Sequence, residues 1–184
     1  DTATPEIYTL SLHDALPIFC THNPDEGRLQ RTLDALQTQT LPAANWELLL
    51  IDNTSAPPLA GRLDLPWHPH ARVCTEEQLG LTWARLRGAR EASSDLLVYV
   101  DDDNVLAPDY LAVAYDLAQR WPQLGAWSGE ITAEFELPPD PDLTPYLELL
   151  ALCAVPRDLW CNYRHAHCLP RGAGLVVRRK VAEA

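Results

Sequence analysis

A chain of 184 residues, 47% apolar and 22% charged, can hold one domain with a sizeable core and is not the composition of a disordered protein. Its formal net charge of −12, with no basic run or basic helix to offset it, argues against nucleic-acid binding. No apolar stretch approaches the roughly 20 residues needed to span a bilayer, so membrane contact is expected to be peripheral at most.

The N-terminus lacks the basic region and continuous apolar core of a signal peptide. Five cysteines without repeated spacing favour reduced thiols over a disulfide framework. A cytoplasmic location is therefore expected, with peripheral contact at the inner face of the membrane allowed. Methionine is absent even at position 1, so the sequence reads as a piece of a longer frame or a processed product.

Residues 1–18 fit poorly with the rest of the chain and resemble a translated sequencing-adapter read-through. They are expected to be a non-native segment, with the natural domain running over residues 19–184. Tyr8, Leu10 and Leu12 alternate with polar residues and could pair as a strand, whereas Pro17 is awkward in a central strand because it donates no ladder hydrogen bond.

Phe19 to Pro24 reads as a strand end entering a turn. A helix is predicted from about Asp25 to Gln39, with Leu29, Thr32, Leu33 and Leu36 on one face. Trp46 to Ile51 is a buried-strand run that stops at Asp52-Asn53. Strand, helix and strand with short links imply a right-handed unit in a parallel sheet. Residues 56–70 are proline-rich and read as a loop, and Ala71 to Cys74 as a short strand. Thr75-Glu76-Glu77 resembles a helix start, the helix running to about Ala92. Gly80, Ala84, Gly88 and Ala92 make a stripe of small residues on it, suited to close approach of a sheet or a ligand.

Leu96 to Val100 is an uninterrupted apolar run that meets Asp101-Asp102-Asp103. Such a run reads as a strand buried on both faces, and ligands of open α/β sheets bind beyond the carboxyl ends of such strands. Three carboxylates there repel one another unless a cation sits among them. Alternation along the strand would send Asp101 and Asp103 to one side and Asp102 to the other. A helix is predicted from Ala107-Pro108-Asp109 to Arg120, a strand over Leu124–Ile131, and a surface loop over Pro138–Pro145. A short helix over Tyr146–Ala154 and a glycine turn, Gly172-Ala173-Gly174, leading into a last strand complete the prediction.

Thr21-His22-Asn23, Asp52-Asn53 after a strand, Gly80 with Ala84-Arg85, and Val100-Asp101-Asp102-Asp103 occur in an order and spacing that resemble glycosyltransferase family 2. The resemblance implies a GT-A type α/β fold, a Rossmann-like and mostly parallel sheet flanked by helices, here incomplete at both ends. It implies transfer of a sugar from a nucleotide-diphosphate sugar, UDP- or similar, with inversion, to a glycan, lipid or small-molecule acceptor. By position, Thr21, Asn23, Asp52, Arg85, Asp101, Asp102, Gly172 and Gly174 would bind the nucleotide-sugar, Asp52 through the imide of a uracil-type base. Asp101 and Asp103 would carry a divalent metal, Mn2+ or Mg2+. Where family members often have Asn after the Ala-Arg pair, this chain has Leu86.

The family's catalytic base lies downstream of the strand after the glycine turn, usually in an acidic pair. Glu183 is too early for it, so no base is assigned; it is expected beyond Ala184, and the chain alone is expected to be inactive. The alternative is a non-catalytic nucleotide-sugar-binding remnant. A more distant rival reads Val100 to Leu106 as the first motif of haloacid-dehalogenase-like phosphatases, with the first Asp as nucleophile.

Cys153, Cys161, His165, His167 and Cys168 are zinc-capable residues, but their spacing matches no finger pattern and an incidental cluster in an acceptor loop is favoured. Trp127 and Trp160 suit either stacking on a sugar ring or core packing.

Overall fold

A computed structural model describes residues 15–150, 152, 154, 157–160 and 169–182. Its elements in chain order are β1 (Leu16–Thr21), α1 (Glu26–Gln37), a 3-10 turn (Ala43–Asn45), β2 (Leu48–Asp52), β3 (Ala71–Thr75) and α2 (Leu81–Glu91). Next come β4 (Leu96–Asp101), α3 (Tyr110–Arg120), β5 (Ala126–Trp127), a 3-10 segment (Pro141–Leu150), β6 (Leu175–Arg178) and α4 (Arg179–Ala182). The described strands form one sheet in the order β3-β2-β1-β4-β6-β5. The first four pair in parallel, β6 runs antiparallel to β4, and β5 antiparallel to β6. The architecture is α/β with a mostly parallel sheet, as the sequence predicts.

Apolar runs in β2 and β4 are buried on both faces because helices cover both sides of the sheet. Phe19, Leu48, Leu50, Val98 and Val100 face α1 and α3, where Leu29, Leu33, Leu36 and Leu111 complete the layer. Ile18, Leu49, Ile51, Leu97 and Tyr99 face α2 through Ala84, Ala89 and Ala92. Each fully buried Leu or Ile contributes about 1.5–3 kcal/mol. Asp25 caps α1 by accepting hydrogen bonds from the backbone N–H of Gly27 and Arg28. The predicted α1 face, Leu29, Thr32, Leu33 and Leu36, is the buried one.

The small-residue stripe packs against the sheet: a Cβ on Gly88 would lie 2.3 Å from Cγ2 of Ile18. The proline-rich loop is fixed from below, where Trp67 and His68 pack against the fully buried Trp46 ring.

Four expectations are corrected. Pro17 lies in β1, near the middle of the sheet. It is accommodated because the ladder with β2 is interrupted there: Ala15 bridges Trp46, and pairing resumes at Ile18 with Leu49. Helix α2 starts at Leu81, not at Thr75, because residues 76–80 are drawn into hydrogen bonds with Asn53. Strand β4 ends at Asp101, so Asp102 and Asp103 lie in a turn to which strand alternation does not apply. The strand expected over Leu124–Ile131 shrinks to Ala126–Trp127, and Pro141–Leu150, which the expectation divides between a loop and a helix, is the 3-10 segment. Tyr8, Leu10 and Leu12 lie outside the described residues.

Candidate functional site

Strand β1 leads to β2 on one side, and after β3 the chain returns to place β4 on the other. The strand order therefore reverses between β1 and β4, and the crevice outside their carboxyl ends is where an open α/β sheet binds ligands. Register aligns the predicted residues along that edge: Thr21 is opposite Asp52, and Cys20 opposite Asp101.

Each of the three aspartates has its own partner. Asp101 closes β4, and Arg85 Nη2 from α2 donates to its Oδ1 and Oδ2 at 3.0 and 3.1 Å. Asp102 Oδ2 accepts from the Thr21 hydroxyl at 2.5 Å, which ties the ends of β1 and β4 together. Asp103 is exposed and accepts from Asn104 Nδ2, while Asn104 Oδ1 accepts from the Asp101 N–H and shapes the turn. Burial pushes the Asp101 carboxyl up, Arg85 pulls it down, and Asp103 and Asp102 add to the rise, leaving it above its ordinary value. Burial also pushes the neighbouring Cys20 thiol up to about 12, so it is no nucleophile.

Asp52 sits at the expected place but faces its own loop. It is 1% exposed, with Oδ1 accepting from Ser55 N–H at 3.0 Å and Oδ2 from Leu59 N–H at 2.8 Å. Burial pushes its carboxyl up, but the Ser55 hydroxyl, these amides and the nearby His22 more than offset that, and its pKa is lowered. The carboxylate thus organises residues 53–59. Asn53 is equally committed: its amide donates to the carbonyls of Glu76 and Gln78 and accepts from Gly80 N–H. His22 Nδ1 lies 2.6 Å from the Asn53 carbonyl. Asn23 holds Ser55 Oγ through its N–H and Ala56 N–H through its side-chain oxygen. Thr21 to Asn23 and Asp52 to Ala56 are therefore one hydrogen-bonded edge.

The glycine turn closes the other side. Gly172 packs beside Arg85, where a Cβ would lie 3.4 Å from Nη2. Gly174 has φ of +68° and is buried, and a Cβ there would stand 2.7 Å from the Tyr110 hydroxyl. That hydroxyl donates to the Gly174 carbonyl at 2.5 Å and accepts from Gly129 N–H at 3.3 Å. Sequence reasoning missed Tyr110, whose partner is 64 residues away and leaves no local signal. A cleft of about 840 Å³ opens between α1, the turn at Asp103 and residues Ala173–Gly174.

Carboxylate oxygens at the end of β4 are hard donors of the kind that Mg2+ and Mn2+ accept. Among the described residues no three His, Cys, Asp or Glu side chains converge into a complete cage. Asp103 is exposed, whereas both Asp101 oxygens accept from Arg85, so an ion held by these carboxylates and completed by phosphates and water would share Asp101 with that guanidinium. Cys153, Cys161, His165, His167 and Cys168 lie outside the described residues. Cys20 and Cys74 are free thiols. Trp127 packs against the core, and Trp160 meets Trp121 edge-on with centroids 4.7 Å apart. No helix among the described residues is long and apolar enough to cross a membrane.

Comparison with known proteins agrees with this geometry. No curated protein matches the sequence. Among solved structures, S. aureus TarS 1-349 in complex with UDP-GlcNAc is similar with a TM-score of 0.58 and 16% identity over 69% of this chain and 37% of that one. The mannosyltransferase PcManGT from Pyrobaculum calidifontis, in complex with GDP-Man and Mn2+, is similar with a TM-score of 0.52 and 26% identity over 65% and 37%. The chain thus spans under two fifths of the length of these proteins. The sheet is that of the GT-A fold. A family model, "Glycosyl transferase family 2", matches residues 18–142. It displaces the phosphatase alternative, whose motif normally opens its domain, whereas here the aspartates come after the fourth strand. The chain belongs to glycosyl transferase family 2.

Proposed function

We propose that the carboxyl edge of the sheet binds a nucleotide-diphosphate sugar, and that the whole protein transfers the sugar with inversion to an acceptor hydroxyl. The observation that carries this reading is the meeting of Thr21, Arg85 and Asp101–Asp103 at the point where strand order reverses. Similar structures were solved with UDP-GlcNAc and with GDP-Man and Mn2+, which supports a donor of this class.

Asp103 and Asp101 would hold a divalent ion, and such an ion when bound neutralises charge on a departing diphosphate. Arg85 adds a fixed cation beside Asp101, and Gly172 leaves room next to it. Asp52 and Asn53 hold the loops that frame the nucleotide, and Asn23 braces them. The base that takes the acceptor's proton is proposed to lie past Ala184.

Titration of the protein with UDP and with GDP, with and without Mn2+, tests the reading by calorimetry. Mn2+-dependent binding that disappears in Asp103→Ala is expected. A cooperatively folded protein that binds neither nucleotide, or an Asp103→Ala variant that binds as well as the parent, would overturn it.

A further inference from the structure

We propose that the cleft beside the aspartate turn receives the acceptor, and that this acceptor is an uncharged glycan, not a phosphate- or carboxylate-bearing one. The inference rests on the donor reading above. The cleft is bordered by Asp103 and by Gly174, the two sides of the proposed donor site, so a molecule within it lies beside the sugar to be transferred.

Its charge balance sets the class of ligand. The cations that line it, Arg28 and Arg31 of α1, are both already engaged: Arg28 Nε donates to Glu136 at 2.8 Å and Arg31 Nη2 to Glu134 at 2.6 Å. Glu130 lines the same cleft, so besides Asp103, which the proposed ion would occupy, two arginines stand against three carboxylates. An anionic acceptor would have to displace Glu134 and Glu136 and then approach Glu130 and the donor diphosphate. Like charges at such range, in a cleft with low-dielectric walls, oppose that entry. Sugar hydroxyls meet the opposite situation, because carboxylates accept their hydrogen bonds.

Apolar surface completes the fit. Phe135 is 42% exposed and Leu150 is 54% exposed, and both line the cleft. An aromatic face and an aliphatic side chain among a few polar groups suit the C–H face of a pyranose ring, in the usual pattern of small-ligand sites.

The test compares cellotetraose, maltotetraose and chitotetraose with phosphorylated maltotetraose and tetragalacturonate by saturation-transfer NMR and calorimetry on the 184-residue chain. At least one neutral oligosaccharide should bind, and the charged ones should bind about tenfold more weakly at low salt, the gap narrowing at roughly 0.5 M salt as screening sets in. Phe135→Ala should lose the neutral ligand with its melting curve unchanged. The double variant Glu134→Gln/Glu136→Gln frees both arginines and should bind the charged oligosaccharides several-fold better than the parent.

Binding of no neutral oligosaccharide, or equal binding of charged ones by the parent, overturns the proposal, as does a Phe135→Ala variant that binds normally. Titration with UDP and GDP in the presence of Mn2+ keeps the two readings apart. Nucleotide binding without the neutral preference removes this inference alone. The neutral preference without nucleotide binding removes the donor reading and leaves a glycan-binding cleft.

Discussion

Arg85 from α2 and Asp101 at the end of β4 form an ion pair with Nη2 at 3.0 Å from Oδ1, and it joins the two elements that bound the proposed diphosphate site. Burial raises the Asp101 pKa, and Arg85 works against that rise. A carboxyl whose folded pKa lies above its unfolded one favours folding below the unfolded value and loses that contribution as pH rises through the folded value. Arg85→Ala removes the opposing cation, so its stability deficit should be smallest in acid and grow toward neutral pH. Urea midpoints across pH check this. Mn2+-supported nucleotide binding should weaken in the same variant, most at the acid end where Asp101 holds its proton.

Asp52→Asn should destabilise the fold at neutral pH by about 1–3 kcal/mol, because an amide N–H would then face a backbone N–H where a carboxylate oxygen accepted one. The wild-type pKa is lowered, so the carboxylate's contribution is present above the unfolded value and is lost as pH falls through the folded one. The difference between variant and parent should therefore shrink in strong acid. A difference that stays constant from neutral pH into acid would show that charge on Asp52 is not the source.

Gly88→Ala should destabilise even though alanine favours helix by up to about 1 kcal/mol over glycine. Its new methyl would enter the space of the Ile18 side chain, which is buried in the sheet. Overpacking of this kind costs about 1–3 kcal/mol. A lowered urea midpoint with an unchanged slope is the expected result. The double variant Gly88→Ala/Ile18→Ala, which removes the clashing Cγ2, should lose less than the sum of the two single variants.

Tyr110→Phe removes one hydroxyl that serves two backbone groups, the Gly174 carbonyl and the Gly129 N–H. A loss of about 0.5–1.5 kcal/mol per hydrogen bond is expected. Faster hydrogen exchange should be confined to Gly129 and the residues of the glycine turn, with the β1 and β2 amides unaffected.

Strands and their acidic ends were legible because a doubly covered sheet demands unbroken apolar runs, and Leu48–Ile51 and Leu96–Val100 are such runs. The placement of Thr21, Asp52, Arg85 and Asp101 along one edge is a result of that. Roles within the edge were less legible. Asp102 bonds to a hydroxyl 81 residues away, and Asp52 turns inward because residues 55 and 59 present their N–H groups to it. No local pattern encodes the Thr21 partner, and Leu59 lies seven residues beyond Asp52. Thr75-Glu76-Glu77 carries a sound local helix-start signal, yet the Asn53 side chain captures the carbonyls of residues 76 and 78 and keeps that stretch out of the helix. A long-range hydrogen bond there overrode a local preference worth less than it.

The Asn53 side chain also has an architectural consequence. It bonds to Gly80, 27 residues further on, so the excursion from Thr54 to Leu79, which adds β3 to the sheet on its way, is closed by a single amide. Helix α2 takes its starting point from that amide and not from the length of chain in between. Exposed positions of its proline-rich part, such as Pro58, Ala60 and Asp64, can accordingly change without moving the start of α2, whereas Leu59, Leu65 and His68 are held in the core. Arg85, one turn into the helix, would keep its place opposite Asp101 throughout.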